Sequence, residues 1–514
     1  MFRVENLSKM YISKKKRHVV DALKDISFDL PNKGLVFILG ESGSGKTTLL
    51  NILSGIDTAD SGNVWVANKL LNQLSIKKLD DYRNGMIDFI FQEFNLIEEI
   101  NVLDNIKLAC QLQNKIPDER KIDELLLELG LNENFKYRKI NELSGGQKQR
   151  IGIIRALLKD SNIILADEPT GNLDSKTSKK VFDKLKEKSK NKLVIIITHD
   201  ESQAYNYANQ IVKINNGCIE QNLVRKTDAE IKKTDKENNP INNFIPVDQI
   251  DHNIHQQKEY IYPSNFVSIP SSLNFKLSFK LSFSALKCKK ILLIIFLLLI
   301  SILTFINLFL PIIAVYSEGK FFVLFNYLKN INIFINDGSN NGKGNFNSIF
   351  DMDFIFQLLY FFIFFITPAL LIWIYFALSI RFKKREIGIL KTLGSSNLTI
   401  IKIFLLECFI FSFLITLFSF YICFKMIAGA VFPYQNNLRN ISFLTYKGII
   451  KPLVIDNTKL SKMLLSFLTY PVFERIFFVF IYLFFIYFLF SFISILTPLS
   501  FLYRKKTIDI ISPK

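Results

Sequence analysis

A chain of 514 residues exceeds what a single hydrophobic core sustains, so two or more domains are expected. The net charge of +18 accompanies 50 phenylalanines, most of them in the second half, where long stretches beyond Lys290 carry no charge. Basic clusters beside apolar runs point to a membrane surface and away from nucleic acid, and five cysteines without paired or metal-like spacing exclude a disulfide framework.

The opening segment, MFRVENLSKMY, lacks the apolar core of a signal peptide, so the first domain is expected in the cytosol. Leu35–Leu39 is a short apolar run ending at a glycine, the form of a buried parallel strand. It feeds Gly40–Thr48, GESGSGKTT, and then a helical stretch, Thr48–Ser54. Strand, glycine-rich turn and helix together are the context a phosphate-binding loop needs. Gly40, Gly43 and Gly45 let the backbone N–H groups approach phosphate oxygens, with Ser42 and Thr48 in the same cradle. Lys46 is placed to reach the β- and γ-phosphates of ATP, and Thr47 to hold Mg²⁺.

A second apolar run, Ile163–Ala166, ends in Asp167 and Glu168. A carboxylate at a strand end beside such a loop suits Mg²⁺, and Glu168, one residue on, suits the general base that polarises water. A third run, Val194–Ile197, ends in Thr198 and His199, so His199 is expected at the γ-phosphate. The fold class expected is an α/β P-loop NTPase followed by an all-α four-helix transmembrane domain.

Leu143–Gln147 reads LSGGQ, and with it the first 220 residues resemble the ATP-binding cassette superfamily. The resemblance implies that Tyr11 stacks on adenine and that Gln92 links Mg²⁺ and water to the membrane domain. It implies that Ser144, Gly145, Gly146 and Gln147 cap the γ-phosphate held by a partner subunit, and that Asp174, in GNLD, is the D-loop aspartate. One P-loop and one signature per chain then require a homodimer. Phe91–Ile106 and Ala166–Ser175 resemble the cassettes of macrolide exporters and lipoprotein-releasing systems.

Residues 221–272 are polar and lack apolar periodicity, so a flexible tether is expected, with His252 and His255 solvated. The membrane domain, 273–514, holds four runs long enough to cross a core of about 30 Å, which takes roughly 20 residues. They are Ile291–Tyr316, Phe354–Ile380, Ile400–Met426 and Ile476–Leu502. Lysine and arginine clusters before the first, after the second and after the fourth place both termini and the ATPase in the cytoplasm, in a multi-pass plasma-membrane protein. Ser317–Asp353 and Ile427–Arg475 are then external.

Arg385–Gly394, REIGILKTLG, resembles the segment of FtsX-like permeases that rests on the ATPase. Asn274–Phe283 alternates like a strand, yet Phe275, Phe279 and Phe283 fall at helical spacing, and the helix is favoured. Glu407 is an intramembrane acid expected to pair between helices, and Pro368 is expected to mark a kink. The whole chain resembles a MacB-like (type VII) ABC protein. That resemblance implies ATP-driven export or extraction of an amphipathic drug, peptide or lipid from the membrane. The alternative is a non-transporting mechanical regulator of an extracellular partner such as a cell-wall hydrolase. Macrolide exporters carry a folded external domain after the first span; Ser317–Asp353 is too short to hold one, which suggests a single-membrane cell.

Overall fold

A computed structural model describes residues 1–12, 19–226, 240–249, 266–318, 352–446, 472–503 and 507–511. The chain forms two compact units. The first comprises Met1–Ala285 with Phe382–Ile403 and Phe501–Lys514; the second comprises Leu286–Arg381 and Phe404–Ser500.

The first unit is built on a seven-stranded sheet. Its strands are β3 (Gly34–Leu39), β6 (Ile87–Ile90), β7 (Ile163–Asp167), β8 (Leu193–Thr198), β9 (Gln210–Asn215), β10 (Cys218–Arg225) and β11 (Phe244–Pro246). The order is β11-β10-β9-β3-β8-β7-β6, parallel from β9 to β6 and antiparallel where β10 and β11 join. The near-continuous apolar runs follow from burial on both faces. Along β3, Leu35, Phe37 and Leu39 enter one core cluster while Val36 and Ile38 enter another, and β7 and β8 alternate likewise.

One cluster is closed by α3 (Val102–Leu112), α4 (Glu119–Glu128), α5 (Gly145–Leu158), α6 (Ser175–Ser189) and α7 (Glu201–Tyr207). The other is closed by α1 (Lys46–Leu53), α2 (Ile76–Met86) and a small antiparallel sheet. That sheet contains β1 (Phe2–Ile12), β2 (Val19–Leu30), β4 (Ser61–Val66) and β5 (Lys69–Leu70).

Part of the expected tether is ordered. Strand β10 runs on to Arg225, and Phe244–Pro246 adds to it as an edge strand. Phe266 stacks on Tyr82, and the Ile269 N–H donates to the Asp81 carbonyl at 3.2 Å. Polar composition concealed this because the pairing is made by main-chain groups that every residue carries. His252 and His255 lie outside the described residues.

Apart from Asn274, which precedes it, the Asn274–Phe283 segment lies in a helix, α8 (Phe275–Cys288), as the aromatic spacing indicates. Phe275, Phe279 and Phe283 form an exposed ladder of stacked rings, while Leu277 and Leu281 are buried. Those two leucines share a core cluster with Ile97, Ile100 and Leu108 of the cassette and with Ile389, Leu390 and Leu393. Ile389 and Leu390 lie in α11 (Lys384–Thr392) and Leu393 is its C-cap; the helix fills most of the REIGILKTLG segment and is buried from Ile387 to Thr392.

Each predicted span lies mainly within a helix: α9 (Lys290–Glu318), α10 (Met352–Phe382), α12 (Asn397–Tyr446) and α13 (Val472–Tyr503). Among the described residues, Asn397–Ile422 and Phe480–Ser500 are long and apolar enough to cross a membrane. Ile366–Phe382 passes the same test jointly with Lys384–Thr392, and Lys290–Thr304 is a shorter apolar helix. Helix α10 is continuous through Pro368, and α12 continues beyond Met426 to Tyr446, into the expected external loop. Most of Ser317–Asp353, and of the second expected loop after Tyr446, lies outside the described residues.

Hydroxyl pairs tie the second unit together. Ser301 meets Ser419 at 3.1 Å, Thr304 meets Tyr487 at 2.5 Å, Ser412 meets Ser491 at 3.1 Å, and Trp373 donates to Thr497 at 2.9 Å. Lipid supplies no hydrophobic drive between helices, so such side chains do part of the holding. Glu407, fully buried, accepts from Ser379 at 2.7 Å, and Ser379 in turn accepts from Lys289 at 3.0 Å. The acid therefore has an interhelical partner.

One buried side chain ties both ends of the turn that leads into α3. Buried Asn105 accepts from the Ile97 N–H at 2.8 Å and donates to the carbonyls of Ile97, Ile100 and Asn101. Asn105→Leu keeps the volume and strands these groups, each worth about 1–3 kcal/mol when unpaired. A drop of several degrees in thermal unfolding is expected; an unchanged transition would count against this assignment.

Candidate nucleotide site

The P-loop occupies the turn from β3 into α1. Gly43 and Gly45 have φ of +83° and +103°, and a Cβ on Gly45 would lie 2.2 Å from the Ala22 carbonyl oxygen. Position 45 therefore admits only glycine. Lys46 is buried, and its Nζ donates to the carbonyls of Gly40 at 2.7 Å and Glu41 at 2.5 Å. Burial lowers its pKa, and the charges of Glu168 and Asp167 oppose that shift. Ser42 and Thr47 are exposed, and Thr48 is half-buried in the first turn of α1.

Register brings the other groups to the same edge. Leu39 pairs with Thr198, and Asp167 pairs with Ile197, so Gly40, Glu168 and His199 leave the sheet together. Asp167 is buried and hydrogen-bonded to Thr47; desolvation raises its pKa. Glu168 sits at φ +44°, a conformation that costs a non-glycine residue about 1–3 kcal/mol and is typical of functional sites. Its Oε1 lies 2.9 Å from His199 Nδ1, and the imidazole is 74% exposed. Gln92, also exposed, follows β6 at this edge of the sheet.

Tyr11 lies on β1 with its hydroxyl bonded to Thr48 and donating to Asp57 Oδ2 at 2.9 Å. Burial, and then the Asp57 charge, raise the pKa of this phenol. The ring is partly exposed beside the P-loop helix. Asp57 is a partner that the sequence did not signal.

The LSGGQ residues stand apart from this cluster. Ser144 is the N-cap of α5: its Oγ accepts from the Gln147 N–H at 3.3 Å, and its N–H donates to Gln147 Oε1 at 2.9 Å. The Gln147 side chain thus closes a capping box. A Cβ on Gly146 would lie 2.9 Å from the Asn172 carbonyl oxygen, so the signature rests on the GNLD turn. Asp174 caps α6, accepting from the Thr177 N–H at 3.0 Å, and these bonds lower its pKa. Among the described residues, no hydrogen bond or ion pair joins Ser144–Gln147 to Gly40–Thr48.

Sequence reasoning also missed a buried ionic cluster. Asp80 on α2 binds Arg83 at 2.5 Å and, 311 residues away in sequence, Lys391 of α11 at 2.7 Å. No local pattern announces a pair so remote.

A glycine-rich loop between strand and helix, a lysine within it and carboxylates on the adjoining strand end define a P-loop ATP hydrolase. The ABC transporter family's profile matches residues 23–171. The ABC transporter ATP-binding protein YxdL of Bacillus subtilis is 36% identical over 235 residues, covering 45% of this chain and 90% of that protein. The macrolide export ATP-binding/permease protein MacB of Mannheimia succiniciproducens is 42% identical over 205 residues, covering 39% of this chain and 32% of that protein. A solved ATP-binding cassette of Methanocaldococcus jannaschii, described as a dimeric post-hydrolysis state bound to ADP and Pi, is 35% identical. It matches 43% of this chain and 97% of its own, with a TM-score of 0.40. The chain belongs to the ABC transporter family: it is an ATP hydrolase whose ATP-binding cassette is fused to apolar helices.

Gly45→Ala is expected to abolish ATP binding while the far-ultraviolet circular dichroism stays unchanged, because the intruding methyl group cannot avoid a backbone carbonyl. Titration with a fluorescent ATP analogue measures it. Retained affinity would mean that the loop tolerates a conformation not seen here.

Proposed function

We propose that the chain is half of a homodimeric ABC transporter of the MacB/FtsX type, exporting or extracting an amphipathic substrate by mechanical transmission. One observation carries the reading. The Lys384–Thr392 helix, lying between two apolar helices in sequence, is buried from Ile387 to Thr392, and its Ile389 and Leu390 share an apolar cluster with Ile97, Ile100 and Leu108 of the cassette. Gly394 ends it at φ +92°, where a Cβ would lie 2.2 Å from the Asn84 backbone nitrogen. An ATPase that holds the link between two membrane segments can displace both.

Four spans with cytoplasmic termini fit the four long helices and the positions of the basic clusters. The cassette's likeness to a named macrolide exporter supports the export reading. Dimerisation is supported by the separation of the signature from the P-loop within one chain. On this reading Ser144, Gly145 and Gly146 cap the γ-phosphate of the other subunit's ATP, with Asp174 at the shared interface, and Tyr11 stacks on adenine. The capping box leaves the N–H groups of Gly145 and Gly146 pointing from a helix N-terminus, a favourable setting for phosphate.

Among the described residues no group of three or more His, Cys, Asp or Glu could hold a metal ion. Mg²⁺ takes one or two protein oxygens and the substrate phosphates. Thr47 and Asp167 would hold it, with Gln92 nearby, and the ion would neutralise charge developing on the phosphates. Glu168 takes the proton of the attacking water as general base. His199, held at 2.9 Å, orients that carboxylate and presents its exposed edge to the γ-phosphate.

Full-length protein in nanodiscs tests the reading. Glu168→Gln should bind ATP and lose at least about 100-fold in turnover. Ser42→Cys with Ser144→Cys should crosslink between chains only when ATP is present. Stimulation of the wild-type ATPase by macrolides, antimicrobial peptides or lipoproteins would support extraction. Stimulation by a cell-wall hydrolase alone would assign the chain to mechanical regulation, and full turnover by Glu168→Gln would remove the catalytic assignment.

A further inference from the structure

Helix α2 is gripped at three places. At the P-loop side, the Tyr82 hydroxyl donates to the Leu53 carbonyl, the last residue of α1, at 2.8 Å, and Arg83 Nη1 donates to the Gly55 carbonyl just beyond. At the end of α5 remote from the signature, its C-cap Lys159 donates to the carbonyls of Arg83 at 2.8 Å and Ile87 at 2.5 Å, at the end of α2. Towards α11, Arg83 Nε donates to the Lys391 carbonyl at 3.0 Å, and Asp80 bridges Arg83 and the Lys391 ammonium.

We infer that Arg83, Asp80 and Lys391 form the coupling node of the cassette: positioning residues through which the P-loop helix and the signature helix together set the position of α11. This deepens the transporter reading above and rests on it. Three contacts converge on one residue. Arg83 alone touches the loop after α1, its own helix and α11, while its carbonyl accepts from the end of α5. A shift of the end of α1 or of the end of α5 is therefore felt at one residue, Arg83.

The alternative, that the cluster merely glues α11 in place, fits the energetics less well. Apolar packing already holds this helix through Ile389, Leu390 and Leu393. Side-chain exposures of 5% or less mean that all three charges are desolvated, and well-packed apolar groups often stabilise as much or more. Burial lowers the pKa of Lys391, opposed by the Asp80 charge, so the ion pair is kept at a cost. A directional link is what ions supply and grease does not.

The test uses Trp373, which lies in α10 and becomes the sole tryptophan of the chain once Trp65→Phe is introduced. In full-length Trp65→Phe/Glu168→Gln protein in nanodiscs, Mg-ATP should change Trp373 emission. Adding Lys391→Met should cut that amplitude at least fivefold, with ATP affinity within twofold, and Lys391→Arg should restore half or more. Asp80 keeps Arg83 at 2.5 Å, so the Met variant is expected to fold; its thermal transition checks this. If it does not fold, Lys391→Gln, which retains a donor for Asp80, takes its place. An undiminished amplitude in a folded Lys391 variant overturns the node while leaving the transporter reading intact. A parent protein that binds ATP without any Trp373 response overturns both.

Discussion

The parallel register of β3, β8 and β7 is the constraint from which the catalytic edge follows. Leu39 opposite Thr198 and Asp167 opposite Ile197 make three strands end at one level. A polyphosphate needs backbone N–H groups from a tight turn, a lysine behind them and carboxylates in front. A register slip of one residue would send Asp167 to the opposite face of the sheet. The sheet can hold that register because both of its faces are buried, with alternate residues of each strand in different core clusters. The strained backbone at Glu168 is tolerable for the same reason. Its N–H is tied to the Ile197 carbonyl at 3.0 Å and its carboxylate to His199, so the surroundings fix what the residue alone would avoid.

Besides the groups at this edge, the cassette buries a second set of polar side chains. Lys159, Asp88, Ser161, Arg155 and Arg83 are all nearly inaccessible, and most of their partners are main-chain carbonyls. Burial lowers the pKa of Arg155 to about 10, still far above neutrality, so the guanidinium stays charged and must be satisfied internally. It donates to the Asn95 carbonyl at 2.7 Å, in the loop that begins with Gln92. Basic side chains thus fasten the helices to the loops that follow β6 and α1.

The legibility of the sequence divides along the same line. Strands β3, β7 and β8, the P-loop, the strand-end acids and the apolar helices announce themselves locally, because each depends on residues a few positions apart. The α8 helix was legible in the spacing of three phenylalanines once the alternating pattern was set against it. What sequence could not show depends on chain closure. DDYRNG at 80–85 carries no recognised pattern, yet Asp80 and Arg83 grip a helix some three hundred residues downstream. Phe244–Pro246 joins a sheet through backbone groups that composition does not encode, and Asp57 reaches Tyr11 only after the β-hairpin has folded over α1.

The two units also differ in what holds them, and the difference follows from their solvents. In the cassette, apolar burial drives packing and each buried ion adds direction at a cost. In the apolar helices every neighbour is as greasy as lipid, so burial discriminates little between one packing and another. The Ser–Ser, Thr–Tyr and Ser–Glu pairs then carry the specificity, each placing one helix in register against another. Such bonds are worth little individually, about 1–2 kcal/mol or less, and exchange readily.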